Sequence, residues 1–147
     1  MSARGFSSIG LVGPKKFSNI GGVMRAAHVY GASLIVIEGD RTRVSDAQDT
    51  TKAWRSIPTL RLDDLFSGCP YDAVPVAVDL VDDAEPLPSF MHPERAFYVF
   101  GPEDGTLGTR HLSKCVRKIM VPTKFCMNLA ATVNVVLYDR LAKQVKQ

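Results

Sequence analysis

The chain has 147 residues, 46% hydrophobic and 22% charged, with 18 Lys and Arg against 15 Asp and Glu for a net charge of +3. That length fits one domain whose core is large enough to fold without staples, and the composition excludes a disordered tail and a fibre. The mild positive charge permits nucleic-acid binding but falls short of a strongly basic footprint.

Ser8 to Val12 reads as a strand, Gly13-Pro14-Lys15-Lys16 as a loop, Ile20 to Tyr30 as a helix and Ser33 to Ile37 as a second strand, a βαβ unit. Ile20, Val23, Met24, Ala27 and Tyr30 fall on one helical stripe, Arg25 and His28 lie off it, and Gly31 stands where a helix C-terminus expects glycine. Ser45 to Ala53 reads as a short capped helix, and Lys15, Lys16, Arg25, Arg41, Arg43, Lys52 and Arg55 gather basic charge in this first third. Thr59 to Leu62 is a brief strand, followed by Asp63 or Asp64 as a cap for the turn through Leu65 and Phe66.

Ala73 to Leu80 is the next strand, and Pro75 within it implies an edge or an early position. Asp82 to Pro93 is acidic and holds three prolines, the pattern of an irregular surface crossing. Ala96 to Phe100 is a strand, Leu107 to Cys115 a helix, and Arg117 to Val121 a last strand ended by Pro122. Met127 to Lys143 is a helix with Leu129, Val133, Val136, Leu137 and Leu141 on one face. Strands alternating with helices predict an α/β fold: one domain over residues 1–147, with a mainly parallel sheet covered by helices on both faces.

Cys69, Cys115 and Cys126 are odd in number and lack C-x-x-C spacing, which indicates neither a disulfide framework nor a zinc site and fits a reducing cytosol. His28, His92 and His111 have no metal-ligand spacing, so no metal is expected. The start of the chain has no apolar signal core, and no run reaches the roughly 18 apolar residues of a membrane span, so a soluble, cytoplasmic protein without membrane contact is expected. A nicotinamide-binding Rossmann domain is disfavoured because the first turn lacks G-x-G-x-x-G, and no P-loop occurs.

Three segments remain: Asn19-Ile-Gly-Gly-Val-Met-Arg25, Gly101-Pro-Glu-Asp-Gly105 and Cys126-Met-Asn-Leu-Ala130. Each follows an apolar strand and opens or precedes a helix, which puts all three at carboxyl ends of strands, where open α/β sheets hold ligands. Asn19 sits where a helix N-cap belongs; the same helix start also offers free N–H groups to a phosphate or ribose. Gly21 and Gly22 each cost roughly 1 kcal/mol against Ala in a helix unless another chain or ligand comes close. Glu103 reads either as a helix-start carboxylate or as a charge for a cationic ligand, and Cys126 either as a buried small hydrophobe or as a thiol at a helix start.

In order and residue type these segments resemble the three motifs of the SpoU/TrmH branch of the SPOUT methyltransferases, over nearly the whole chain. The resemblance implies an S-adenosylmethionine-dependent enzyme, releasing S-adenosylhomocysteine, that methylates a ribose 2′-hydroxyl in RNA. It implies a carboxyl-terminal deep trefoil knot and a homodimer in which the Asn19/Arg25 helix of one subunit completes the other's pocket. By matching positions, Arg25, Asn19, Glu103 and Asn128 carry catalysis, while Val78, Asp79, Phe100, Gly101, Val121, Cys126, Met127 and Leu129 hold the cofactor. Arg25 is the family's essential arginine: a guanidinium stays protonated near neutral pH, which suits gripping a phosphate and stabilising a 2′-alkoxide, and acting as base requires a locally favoured neutral form. The compact chain is similar to enzymes of the tRNA wobble nucleotide, making tRNA the first expected partner and ribosomal RNA the second. Cys126 replaces the family's usual Ser and the loop before it is short, which also leaves open a non-catalytic RNA-binding module with a decayed pocket.

Overall fold

The computed structural model describes residues 5–39, 57–103 and 105–145. The short helix expected over Ser45 to Ala53 lies outside them, as do Arg41, Arg43, Lys52 and Arg55. In chain order the elements are β1 (Phe6–Val12), α1 (Phe17–Tyr30), β2 (Ile35–Glu38), β3 (Thr59–Leu62), a 3-10 turn (Leu65–Gly68) and β4 (Val74–Val78). Then come β5 (Glu85–Pro86), a second 3-10 turn (Leu87–Ser89), β6 (Arg95–Phe100), α2 (Thr109–Leu112), β7 (Arg117–Met120) and α3 (Leu129–Val145).

The described strands form one sheet in the order β3-β2-β1-β6-β4-β7-β5, and every pairing is parallel. Because β1, β6, β4 and β7 are successive neighbours running the same way, the loops after them share one edge. The order also reverses between β1 and β6, the kind of switch point that opens a crevice beyond the strand ends.

Burial alternates along β6: Ala96, Tyr98 and Phe100 join one apolar cluster and Phe97 and Val99 the other, as a strand covered on both faces requires. The first cluster is closed by Ile20, Val23, Met24 and Ala27 of α1 and by Leu129, Val133, Val136 and Leu137 of α3. On the opposite face the described cover is slighter, with Leu65, Leu107 and Cys115 buried and Phe66 and Leu112 packed against them. Helical segments thus lie on both faces, but the long ones share a single face. Asp64 caps the 3-10 turn by accepting the Phe66 N–H, and Gly31 ends α1 at φ 73°, the left-handed conformation that glycine adopts without a Cβ penalty.

Several expected elements differ in detail. The helix expected over Leu107 to Cys115 is only the four residues of α2; Gly108 before it is extended, at φ −83° and ψ 173°, and the Leu107 N–H is taken by Asp79. Pro75 is on no edge, since β4 lies between β6 and β7. Its position is early: its carbonyl accepts from Val116 N at 3.0 Å, so its missing N–H faces the β7 side, where pairing begins only at Val76. The acidic crossing after β4 is less irregular than expected, because Glu85–Pro86 pairs with β7 as the outermost strand.

At the amino end of the strands, α3 is fastened by a buried polar network. Arg140, 5% exposed, donates to the carbonyls of Pro93, Glu94 and Phe6 and to the Tyr98 hydroxyl. His92 bridges Tyr98 Oη and Asp139 Oδ2 at 2.7 Å each, and Lys143 pairs with Asp139 while donating to Leu87 O and Phe90 O. Burial lowers the His92 pKa against the pull of Asp139 and lifts the Tyr98 hydroxyl to about 12.

Candidate functional site

At the shared carboxyl edge lies a cleft of about 220 Å³. Its walls come from the loops after β4, β6 and β7 and from the first turn of α3. Val78, Asp79, Phe100, Gly101, Val121, Cys126, Met127 and Leu129 all line it, together with Glu103. Asp79 holds two of these loops together: one carboxylate oxygen accepts the Leu80 N–H at 2.8 Å and the other the Leu107 N–H at 3.0 Å. A Cβ at Gly101 would come within 3.2 Å of the Leu107 nitrogen, so the close approach of the 106–107 backbone favours glycine there.

Glu103 reaches from this cleft to the start of α1. Its carboxylate accepts the backbone N–H of Lys15 at 3.0 Å, that of Lys16 at 2.8 Å and the Asn19 amide at 3.0 Å. Burial works to raise its pKa, and the Asn19 amide with the two N–H groups outweighs that and holds it below the ordinary glutamate value. An anion belongs at this position, where a helix start presents unpaired N–H groups and the positive end of its dipole.

Asn19 is therefore not an N-cap. The helix begins at Phe17, Lys16 is its cap residue with no side-chain bond, and Asn19 is buried at its third position. Its amide donates to Glu103 and its carbonyl oxygen accepts the Asn128 amide at 3.3 Å. Asn128 is the residue that caps: its side-chain oxygen accepts the Ala131 N–H at 2.8 Å and its carbonyl the Thr132 N–H at 3.0 Å. Glu103, Asn19 and Asn128 form one hydrogen-bonded chain, with one member from each of the three sequence segments.

Gly22 is explained by packing of α1 on α3, since a Cβ there would lie 2.7 Å from the Ala130 Cβ. Arg25 and His28 are exposed on α1, off the apolar stripe as expected. Six residues beyond Asn19, Arg25 lies about 9 Å along the helix and roughly 120° around it, and it lines no part of this chain's cleft. Cys126 is exposed, Cys115 buried and Cys69 half-buried, all as free thiols; burial raises Cys69 and lifts Cys115 to about 11.

The sequence model of the SpoU rRNA Methylase family matches residues 7–138. This chain belongs to that family. Solved structures agree in fold: the SpoU methyltransferase AviRb from Streptomyces viridochromogenes, in complex with AdoMet, superposes with a TM-score of 0.85 at 20% identity, over 99% of this chain and 63% of that one. An rRNA methyltransferase from Sinorhizobium meliloti gives 0.84 at 17% identity, over 97% of this chain and 58% of the other. A protein studied for 2-OH methylation of C/U34 on tRNA gives 0.80 at 20% identity, over 100% of this chain and 95% of that one. This chain spans about three fifths of the length of AviRb and of the Sinorhizobium protein. Comparison with curated proteins finds no match.

The residues lining the cleft of this SpoU family member are of the chemical kinds that S-adenosylmethionine requires. Val78, Phe100, Val121, Met127 and Leu129 offer apolar walls to an adenine, loop backbone groups surround them, and Glu103 supplies an ionised carboxylate for a sulfonium. Leu80, Pro102, Gly105, Thr106, Thr123 and Thr132 also line the cleft and were not expected from sequence. Thr132 was recoverable, because it stands three residues after Leu129 on the same face of α3. Thr106 and Thr123 lie in loops, where no periodicity marks an inward side chain. Among the described residues no group of three or more His, Cys, Asp or Glu is arranged to hold a metal ion.

Proposed function

We propose that this protein is an S-adenosylmethionine-dependent RNA methyltransferase that transfers a methyl group to a ribose 2′-hydroxyl, in tRNA first and ribosomal RNA second. The observation that carries this reading is the Glu103–Asn19–Asn128 chain, which joins all three motif segments beside the cleft. When bound, the cofactor supplies the electrophilic methyl group. Val78, Asp79, Phe100, Gly101, Val121, Cys126, Met127 and Leu129 hold it, mainly through shape and backbone groups, and exclude water. Asn19 and Asn128, fixed by each other and by Glu103, position the ribose, and proximity with electrostatic stabilisation provides most of the acceleration. Arg25 acts through charge, gripping a phosphate and stabilising the developing 2′-alkoxide; no metal and no covalent enzyme intermediate take part.

The same reading makes the protein a homodimer. Val29 of α1 and Val135 and Tyr138 of α3 are exposed and apolar, and Arg25 is one turn before Val29 on the same side of α1. A second subunit covering that surface would receive Arg25 near its own cleft. A single domain over residues 1–147 and a deep trefoil knot belong to the reading too, as the family resemblance implies. So does a cytoplasmic location; no described helix is long and apolar enough to cross a membrane.

Calorimetric titration with S-adenosylmethionine, followed by incubation with labelled cofactor and unmodified bulk tRNA or ribosomal RNA, tests the reading. Label recovered as 2′-O-methylnucleoside is the expected result, with Arg25→Ala retaining cofactor binding and losing transfer. A protein that binds RNA but no cofactor would instead be a non-catalytic module with a decayed pocket.

A further inference from the structure

The loop between β7 and α3 presents a large apolar side chain to solvent beside the cleft: Phe125 is 84% exposed. Its neighbours are exposed Lys124 and the cleft residues Thr123, Cys126 and Met127. The turn is closed by the Thr123 hydroxyl donating to Phe125 O at 2.7 Å, and the ring projects outward from it. Two residues after Cys126, Asn128 bonds to Asn19 of α1, which brings this loop against the start of α1. That start carries exposed Lys15 and Lys16 and a second outward ring, Phe17, 46% exposed. No ring contact to Phe125 or Phe17 occurs among the described residues.

Isolated exposed hydrophobes need no explanation, but two aromatic rings interleaved with three lysines on either side of the cleft match the chemistry of single-stranded nucleic acid. Rings stack on bases whatever their sequence, and ammonium groups follow the phosphates. We infer that Phe125, assisted by Phe17, is a stacking platform that holds an unpaired base of the RNA next to the cleft, with Lys124, Lys15 and Lys16 on its flanking phosphates. Phe125 is not among the residues that line the cleft, which makes it a positioning residue for substrate. This inference rests on the RNA-methyltransferase reading for its substrate class.

The test uses the full chain and two measurements. A five-nucleotide single-stranded RNA carrying 2-aminopurine reports stacking directly by loss of its fluorescence, whether or not methyl transfer occurs. Wild type should quench it, Phe125→Ala should lose the quenching and bind about tenfold or more weakly, and Phe125→Trp should retain both. With the RNA that accepts methyl, Phe125→Ala should raise KM by a similar factor, leaving kcat and S-adenosylmethionine affinity near wild type. Quenching without transfer by wild type would overturn the methyltransferase reading and keep the platform. Transfer with an unchanged KM and unchanged oligonucleotide binding in Phe125→Ala would do the reverse. A shift in sedimentation of Phe125→Ala with RNA binding unaltered would also overturn the inference, assigning the ring to contacts between copies.

Discussion

The two ends of the strands in this sheet both use polar side chains to fasten α3, and they do so differently. At the amino end, Arg140, Tyr98, His92, Asp139 and Lys143 saturate one another and five backbone carbonyls in a largely buried setting. At the carboxyl end, Glu103, Asn19 and Asn128 make an open chain that borders a cleft, and Asn128 itself is exposed. A saturated network has nothing left for a ligand, whereas an open one holds its groups in place and leaves a side accessible. Stability and chemistry are therefore expected to separate by end, and the variants below probe that separation.

Arg140→Ala should have the largest effect. It takes a charged donor from the Pro93, Glu94 and Phe6 carbonyls and from the Tyr98 hydroxyl in a buried site, leaving Glu94 O with the Phe6 N–H and Tyr98 with His92, at a cost of about 3–5 kcal/mol, a fall in Tm on the order of 10 °C by calorimetry. The fraction that remains folded should still bind S-adenosylmethionine. Asn19→Ala should reverse the pattern: transfer falling about 100-fold through misplacement of the ribose, with a loss of only about 1–2 kcal/mol in denaturant titration. If Asn19→Ala proved the less stable and the more active of the two, the division between the ends would be wrong.

Asn128→Asp sharpens the comparison within the upper chain. An aspartate keeps the oxygen that caps α3 but sets a second acceptor against Asn19 Oδ1 where the amide donated, so it should cost about 1–2 kcal/mol through that bond alone while transfer drops. Asn128→Ala should also lose the cap, at about 0.5–2 kcal/mol.

Acid should produce the smallest effects, at both ends. The folded pKa of His92 is depressed below 6.5 by burial, so its neutral form contributes stability that is complete above 6.5 and lost as pH falls through the folded value. Glu103 is likewise depressed, below 4.5, and its contribution is complete above 4.5 and lost at still lower pH. Stability should accordingly fall on acidification in part through each group, the His92 part removed by His92→Gln and the Glu103 part by Glu103→Gln, as melting curves across acid pH would show. A Glu103→Gln protein with an unchanged acid limb would mean that the carboxylate is not the anchor of α1.

Much of the fold was legible in advance because its signals are local. The stripe Ile20, Val23, Met24, Ala27 and Tyr30, the Gly31 terminus, the strand Thr59–Leu62 and the Asp64 cap depend on neighbours a few residues away. The helix α2 is shorter than the expected Leu107 to Cys115 because Leu107 and Cys115 bury against the sheet from the turns that flank it, not from the helix itself. Asn19 departs from the expected cap position for a different reason: its helix opens three residues earlier than Ile20, with no side-chain cap at Lys16. What stabilises that opening is Glu103, which is 84 residues from Asn19.

The sequence by itself determined that three small-residue segments, each following an apolar strand, must lie at strand ends, since pattern and turn chemistry leave little else. Which strands are neighbours is decided by tertiary structure: parallel pairing puts the carboxyl ends on one edge, and the order β1-β6-β4-β7 makes these particular ends adjacent. The partners of Glu103, Asn19 and Asn128 follow from that order, because hydrogen bonds across 84 and 109 residues are set by where the chain returns in space, not by spacing along it.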